Sequence, residues 1–445
     1  MAETTMQAGF GLHDKPQHGT AVLAGLQHLL AVFGGIVTAP LLIALGMNLP
    51  ADDIDYLVGS ALVISGIATA IQVLRVGPIG SGLLSIQGTS FTFVGPLIYL
   101  YTSRSGQLAP ELILGQIFMA CVVCALLMMM LARGISRLQR IMTPAVAGTT
   151  VVLLGLTLIA TTVQNLIREI STVGWRAAVL AGTVLCLMLV LALAGKPLLR
   201  LASIAIGLVT GLVGASLLGL VVLPDYASLP AVFVPEPLRY APSFDLGMVL
   251  VLLPIFVVSA TESVGDLTAT ASLSGEPVRG EKFLARLRGG ISADALNSAI
   301  AGLFATFPNT TFSQNNGVIR LTGVASRRVG LYVALLLILV GTIPAVAATL
   351  RVLPASVIGG ATLLMFALVA LSGWHILGGR RMPRRTAVIA GVATLAGLAI
   401  PLLIRMIPEL PATVATVFGF PVSTGAFVAM LLEGLLPPDS PESLS

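Results

Sequence analysis

Charge is what this chain most lacks. Only 10% of its 445 residues are Asp, Glu, Lys or Arg, against roughly a quarter in soluble domains, and that shortage excludes an ordinary soluble globular fold. Cysteine is nearly absent: Cys121, Cys124 and Cys186 all fall in apolar runs. The first two have CxxC spacing. Their surroundings, Phe118-Met-Ala-Cys-Val-Val-Cys-Ala-Leu-Leu, supply no His or further Cys, so they read as buried small hydrophobes rather than a metal or redox pair. Histidine is equally sparse. His13, His18, His28 and His375 are the four, none beside a His, Cys or Asp cluster at ligand spacing, so neither a metal site nor a nucleophile–base pair is legible. The reading is therefore not an enzyme, with no metal and no cofactor. No cleavable leader is expected, because the first 18 residues are polar and the first apolar run is a full span. The net charge of +5 does not point to nucleic acid, since the arginines cluster in short loops beside apolar runs, where they act as orientation signals.

What is abundant is apolar surface: 56% of residues are hydrophobic and the mean hydropathy is +1.00. It is dispersed in runs of about 20 residues, long enough to cross a hydrocarbon core of about 30 Å. The chain reads as an all-α polytopic membrane protein with fourteen transmembrane segments. The first seven are 20–45, 56–74, 82–101, 112–132, 144–164, 177–194 and 203–223. The second seven are 247–270, 291–306, 310–325, 328–350, 356–377, 386–405 and 415–436. The expected organisation is a cytoplasmic tail 1–19, a seven-span repeat 20–223, a proline-rich extracytoplasmic linker 224–246, a second repeat 247–436 and a cytoplasmic tail 437–445. With the N-terminus inside, this arrangement puts seventeen Lys and Arg inside and six outside, Arg320 alone falling within a segment. That bias places both termini in the cytoplasm. Because seven is odd, two similar halves enter the membrane in opposite senses, which is an inverted repeat.

Two segments are too polar for unbroken helix in lipid. Ser85-Ile-Gln-Gly-Thr-Ser-Phe-Thr92 interrupts the third segment, and Thr311-Phe-Ser-Gln-Asn-Asn-Gly-Val-Ile-Arg-Leu-Thr-Gly323 interrupts the tenth. Non-helical backbone at membrane depth is tolerated only where protein buries it or it lines a watery cavity, and paired interruptions in two halves point to a transporter's binding site. Gln87 follows His28 by 59 residues and Gln314 follows Glu262 by 52, in keeping with two related halves.

The ionisable groups placed in the apolar zone are Glu262, Asp266, Asp294 and Arg320, each costly there. Glu262 and Asp266 are four apart and share a helix face. A carboxylate in a low-dielectric cavity can take up a proton near neutral pH and can accept N–H groups from a ligand, so Glu262 is the candidate that links a proton gradient to binding. Asp266 and Asp294 read equally well as members of a structural polar network. Gln314 presents a donor and an acceptor on one amide, matching an N–H beside a C=O on an oxidised nucleobase. Phe91 is a candidate for stacking on a flat ring.

Gln314-Asn-Asn-Gly-Val-Ile-Arg-Leu-Thr-Gly323 resembles the signature of the nucleobase–ascorbate transporters, also called nucleobase:cation symporter-2, and every fixed position matches. The likeness extends to Gln27-His-Leu-Leu, Gly80-Ser-Gly-Leu-Leu-Ser-Ile-Gln87, Glu262-Ser-Val-Gly-Asp-Leu-Thr-Ala269 and Leu321-Thr-Gly-Val-Ala-Ser-Arg327. Within the family the chain most resembles the bacterial xanthine and uric acid permeases. The resemblance implies Glu262 and Gln314 as the side-chain ligands of the base. It implies that Phe91 packs on the ring, that Phe91 and Ser313 lend their backbone, and that Asp266, Asp294, Asn315 and His28 serve transport or its coupling. It also implies core and gate domains that move against each other, a homodimer in membrane lipid, and a proton gradient as the driving force. Two positions depart from the pattern. Arg320 replaces an uncharged residue, and either pairs with Asp266 or Asp294 or lies at the cytoplasmic end. Ser90 stands where close xanthine-selective relatives have Asn; its smaller side chain leaves room beside the imidazole side of a purine, where uric acid carries an extra oxygen. The other role open to Ser90 is capping its own break.

The expectation is thus proton-coupled uptake of xanthine or uric acid across a bacterial inner membrane. The alternative within transport is a uracil-type permease, whose members carry Glu in place of Gln314. An anion transporter is opposed by Glu262, and a channel by the pairing of the two interruptions.

Overall fold

The computed structural model describes residues 9–134, 143–196, 199–200, 202–379, 382–407, 410, 414 and 418–437. Arg137, Arg140, Arg380 and Arg381 of the charge count, most of the C-terminal tail and the start of the N-terminal tail lie outside the described residues. Fifteen α-helices carry the described chain. They are α1 (His18–Gly46), α2 (Ala51–Leu74), α3 (Val94–Thr102), α4 (Pro110–Ala132), α5 (Pro144–Val173), α6 (Trp175–Ala192), α7 (Ser203–Leu217) and α8 (Leu246–Leu273). The remainder are α9 (Glu281–Leu303), α10 (Gln314–Thr322), α11 (Arg327–Gly341), α12 (Pro344–Arg351), α13 (Ala355–Ile376), α14 (Arg384–Arg405) and α15 (Pro421–Leu435). Eight of these helices are long and apolar enough to cross a membrane, and α11 with α12 makes a ninth, bent by 72°. This is a multi-pass helical membrane protein.

Where the structure departs from the segment boundaries, the cause is local chemistry. The run 328–350 is not one straight helix, because Pro344 has no N–H for the turn before it and starts a new helix instead. Helix α9 begins ten residues before the apolar run expected at 291, since its first turns are amphipathic: Arg286 is only 3% exposed and is paired with Glu276. The stretches 82–101 and 310–325 are both interrupted. Each holds a three-residue strand, β1 (Gln87–Thr89) and β2 (Asn309–Thr311), followed by a short helix.

The two strands pair antiparallel, with Gln87 opposite Thr311, Gly88 opposite Thr310 and Thr89 opposite Asn309. The ladder is extended by Ser90 N–H to the Pro308 carbonyl (2.9 Å) and Phe312 N–H to the Ile86 carbonyl (3.0 Å). A two-stranded ribbon still has two outer edges, and in an apolar interior an unpaired backbone group costs several kcal/mol. Hydroxyls from neighbouring helices serve them. Thr69 of α2 accepts the Gln87 N–H at 2.9 Å, and Ser298 of α9 both accepts the Asn309 N–H and donates to its carbonyl, each at 3.1 Å.

The helices pack as two groups. One comprises α1 to α4 and α8 to α12 around the strand pair; the other comprises α5 to α7 and α13 to α15. Contacts between the groups are sparse, chiefly α1 on α7 and α8 on α5 and α15. Charges sort to the two ends of α2. At its start Asp53 pairs with Arg239, Asp55 with Arg351 (2.7 Å), and nearby Arg104 with Asp245. Beyond its other end Glu276 takes Arg286 (2.8 Å), Lys282 and His13. Burial works to raise the Glu276 carboxyl, but these cations win and hold it below the ordinary value. At the same end residues 10–14 are strapped down, with Ala325 and Arg327 donating backbone N–H groups to the Phe10 and Leu12 carbonyls.

Gly88 of β1 lies close against Ile36 of α1. A Cβ there would lie 2.7 Å from both Ile36 and the ring of Phe312. Gly88→Ala is expected to cost about 1–3 kcal/mol through overpacking and to displace Phe312. Thermal unfolding in detergent reads this as a lowered Tm; an unchanged Tm would show that the close approach carries no constraint.

Candidate functional site

A cavity of about 590 Å³ lies between the two helix groups. Its polar wall comes from the first group: Ser90, Phe91 and Thr92 after β1, Thr310 to Gln314 around β2, and Thr261, Glu262, Gly265 and Asp266 of α8. The wall from the second group is mostly apolar, with Ala147, Val151 and Leu154 of α5, Ile204 of α7, and Met365 of α13; Thr143 and Ser372 are its polar members.

Each interruption grips one carboxylate of α8. The Thr92 hydroxyl reaches both oxygens of Glu262, at 2.9 and 3.1 Å. The Thr311 hydroxyl donates to Asp266 Oδ2 at 3.1 Å. One helical turn separates the two acids, so both stand on the cavity side of α8 and each is held by a different strand segment. Gln314 opens α10 and is half-buried; among the described residues its carboxamide has no hydrogen-bond partner, so donor and acceptor are both open to the cavity. Ser313, the residue before α10, is exposed and makes no side-chain cap. In the first turn beside it, the Asn315 and Asn316 N–H groups donate back to the Phe312 and Ser313 carbonyls at 3.1 and 3.0 Å.

Phe91 is partly buried, with its ring 6.3 Å from Phe312 and 5.5 Å from Phe366. Phe366 belongs to α13, so an edge-on aromatic contact spans the two helix groups at the cavity. Ser90 lines the cavity and also caps its own turn, its Oγ accepting the Thr92 N–H at 3.3 Å. Both roles foreseen for it are therefore geometrically open.

The other expected site residues stand behind the cavity. Asp294 in α9 accepts Gln72 Nε2 at 3.2 Å and the Ser263 hydroxyl, which places it on the far side of α8. His28 in α1 donates from Nδ1 to Asn315 Oδ1 at 2.7 Å, and Asn315 Nδ2 donates to the Leu84 carbonyl at 2.5 Å. These two bonds tie the start of α10 to α1 and to the chain entering β1. Arg320 makes no ion pair among the described residues; it is exposed in the last turn of α10, on the chain leading to the strapped Ala325, and is joined to neither Asp266 nor Asp294. Cys124 donates to the Val249 carbonyl at 3.4 Å within packed helices.

Sequence reasoning missed Thr92, Thr311 and Phe312. Thr92 and Thr311 had a signal, since each lies in an interruption four or fewer residues from a named site residue. Phe312 had one too, because each interruption carries an aromatic at its strand's end.

The model of the Permease family, Xan_ur_permease, matches residues 19–406. Xanthine permease XanP of Escherichia coli (strain K12) is 37% identical over 443 residues, covering 97% of this chain and 95% of that protein. XanQ of the same organism is 37% identical over 441 residues, 96% and 93% of the two chains. The uric acid-xanthine permease of Emericella nidulans is 31% identical over 487 residues, 97% and 84%. Among solved structures, the transmembrane domain of the cyanobacterial bicarbonate transporter BicA matches with TM-score 0.57 at 14% identity, covering 96% of this chain and all of that one. SLC26A9 matches with TM-score 0.65 at 12% identity, covering 94% and 66%. Those two share the fold, while the sequence matches reach almost end to end, and on them the chain belongs to the nucleobase–ascorbate transporter family of permeases.

Proposed function

We propose that this permease takes up an oxidised purine, xanthine or uric acid, together with protons across the bacterial cytoplasmic membrane. The observation that carries the reading is the cavity's polar wall: a free carboxamide on Gln314, a carboxylate on Glu262 and the ring of Phe91 converge on one space. A purine dione offers adjacent N–H and C=O groups on a flat ring, and those are the complements of this set. The relatives named as xanthine and uric acid-xanthine permeases support the same class of cargo.

Glu262 is assigned both to the base and to the proton, because a carboxylate that accepts a ligand N–H and exchanges a proton links the two events. Asp266, one turn on, is assigned to coupling. Asp294 acts from behind through Ser263, and His28 with Asn315 keeps α10 in place. Ser90 and Ser313 complete the binding set. Fourteen spans in two inverted repeats, 20–223 and 247–436 joined by 224–246, are the proposed architecture; the antiparallel meeting of the two interruptions supports it. The first helix group is the proposed core and the second the gate, supported by their sparse mutual contacts. Both tails, 1–19 and 437–445, are assigned to the cytoplasm on the Lys and Arg bias of seventeen to six. A homodimer within lipid belongs to the same reading, and exposed apolar side chains such as Val179, Val213 and Leu395 supply surface for it.

Competition against labelled xanthine uptake tests the cargo: unlabelled xanthine and uric acid are expected to compete and uracil is not. Strong competition by uracil alone would replace this reading with a pyrimidine permease. Gln314→Ala is expected to raise the inhibition constant of xanthine roughly two- to tenfold, the worth of one net hydrogen bond; an unchanged profile would remove Gln314 from the site. Ser90→Asn should narrow the cavity against the extra oxygen of uric acid and so favour xanthine in the same panel. An unaltered urate-to-xanthine ratio would refute that steric argument and leave Ser90 with its capping role.

A further inference from the structure

We infer that Thr92 is the positioning residue for Glu262, the single donor that sets the plane in which this carboxylate faces the purine's N–H groups. The inference rests on the proposed function above and adds a residue to it. Thr92 Oγ1 lies 2.9 Å from one oxygen of Glu262 and 3.1 Å from the other. One hydroxyl proton shared almost evenly between two oxygens restrains rotation of the carboxylate about its last bond. It also leaves each oxygen with acceptor capacity toward the cavity. No other described residue donates to this carboxylate, so its orientation depends on Thr92.

The donor itself cannot follow Glu262 around. Thr92 is fully buried, and its N–H is held by Ser90 Oγ at 3.3 Å. The next residue, Phe93, packs its ring edge-on against Phe256 of α8 at 4.8 Å. The turn that carries Thr92 is thereby locked to the helix that carries Glu262, and a β-branched side chain has few rotamers to choose from. Glu262 must come to Thr92, in one geometry. A hydrogen bond to an ionised group is among the stronger ones, and here it orders a group before the ligand arrives, which lowers the cost of binding.

The bland reading is that Thr92 merely fills space, in which case its isostere valine serves as well. Uptake kinetics of Thr92→Val, Thr92→Ala and Thr92→Ser, measured in the same membranes as Glu262→Gln, separate the two. The expected result is a KM for labelled xanthine raised on the order of tenfold in Val and Ala, with Vmax within about twofold, and near-normal KM in Ser, which keeps the hydroxyl. A normal KM in Val overturns the inference. So does a defect shared equally by Ser, which would assign the role to the methyl group, or a defect in Val with Ala spared, which would be steric. A fall in Vmax at unchanged KM overturns it as well. Concentrative uptake retained by Glu262→Gln would sink the assignment of Glu262 itself. An inert Glu262→Gln beside a wild-type-like Thr92→Val would remove Thr92 alone.

Discussion

Two stretches of backbone that leave the helix inside a membrane must satisfy each other, and most of this architecture answers to that constraint. Water is not there to accept their N–H and C=O groups. The antiparallel meeting of β1 and β2 solves half the problem, and Thr69 and Ser298 reach in to cap outward-facing groups of the ribbon. Once the ribbon is fixed, the places where α3 and α10 can begin are fixed too. Gln314, Ser313, Phe91 and Thr92 then fall around one cavity because each sits within a few residues of a strand end. Polarity that would be a liability in lipid becomes the lining of the site.

The division of labour between the walls bears on movement. Most of the hydrogen-bonding groups come from the helix group that holds the ribbon, and the facing group offers mainly aliphatic side chains. Surfaces matched in this way can separate without breaking hydrogen bonds, so a change of relative position costs chiefly apolar contact. The carboxylates add internal rigidity to the polar wall. Glu262 is held from the β1 side and Asp266 from the β2 side, so α8 is braced across both interruptions at once. His28 and Asn315 do the same for the start of α10. Under the proposed mechanism the polar wall travels as a unit with its ligand.

Much of this was legible because polar residues in lipid are costly and stand out. The two interruptions showed as glycine and carboxamide inside apolar runs, and Glu262, Gln314, Phe91, Ser90 and Ser313 all line the cavity. Depth behind that lining was not legible. Spacing by four puts Glu262 and Asp266 on one face, but nothing in the chain says that Asp294 would meet Ser263 on the other side of α8, or that Asn315 would turn toward His28. Thr92 and Phe312 escaped notice because Thr and Phe are ordinary in membrane helices, and only the fold gives them partners. The bend before Pro344 hid inside a continuous apolar run, and α9 began early because Glu276 neutralises a buried arginine that looked like a loop residue.

The central claim is that proton movement and purine movement are one event in this cavity. Purified protein in sealed vesicles, with the interior made alkaline by an imposed pH gradient, tests it directly. The account predicts that labelled xanthine accumulates inside above its external concentration, that a protonophore collapses the accumulation, and that adding xanthine makes the external pH rise as protons enter with the purine. Uptake that only equilibrates across the vesicle membrane, indifferent to the gradient and to the protonophore, would contradict it.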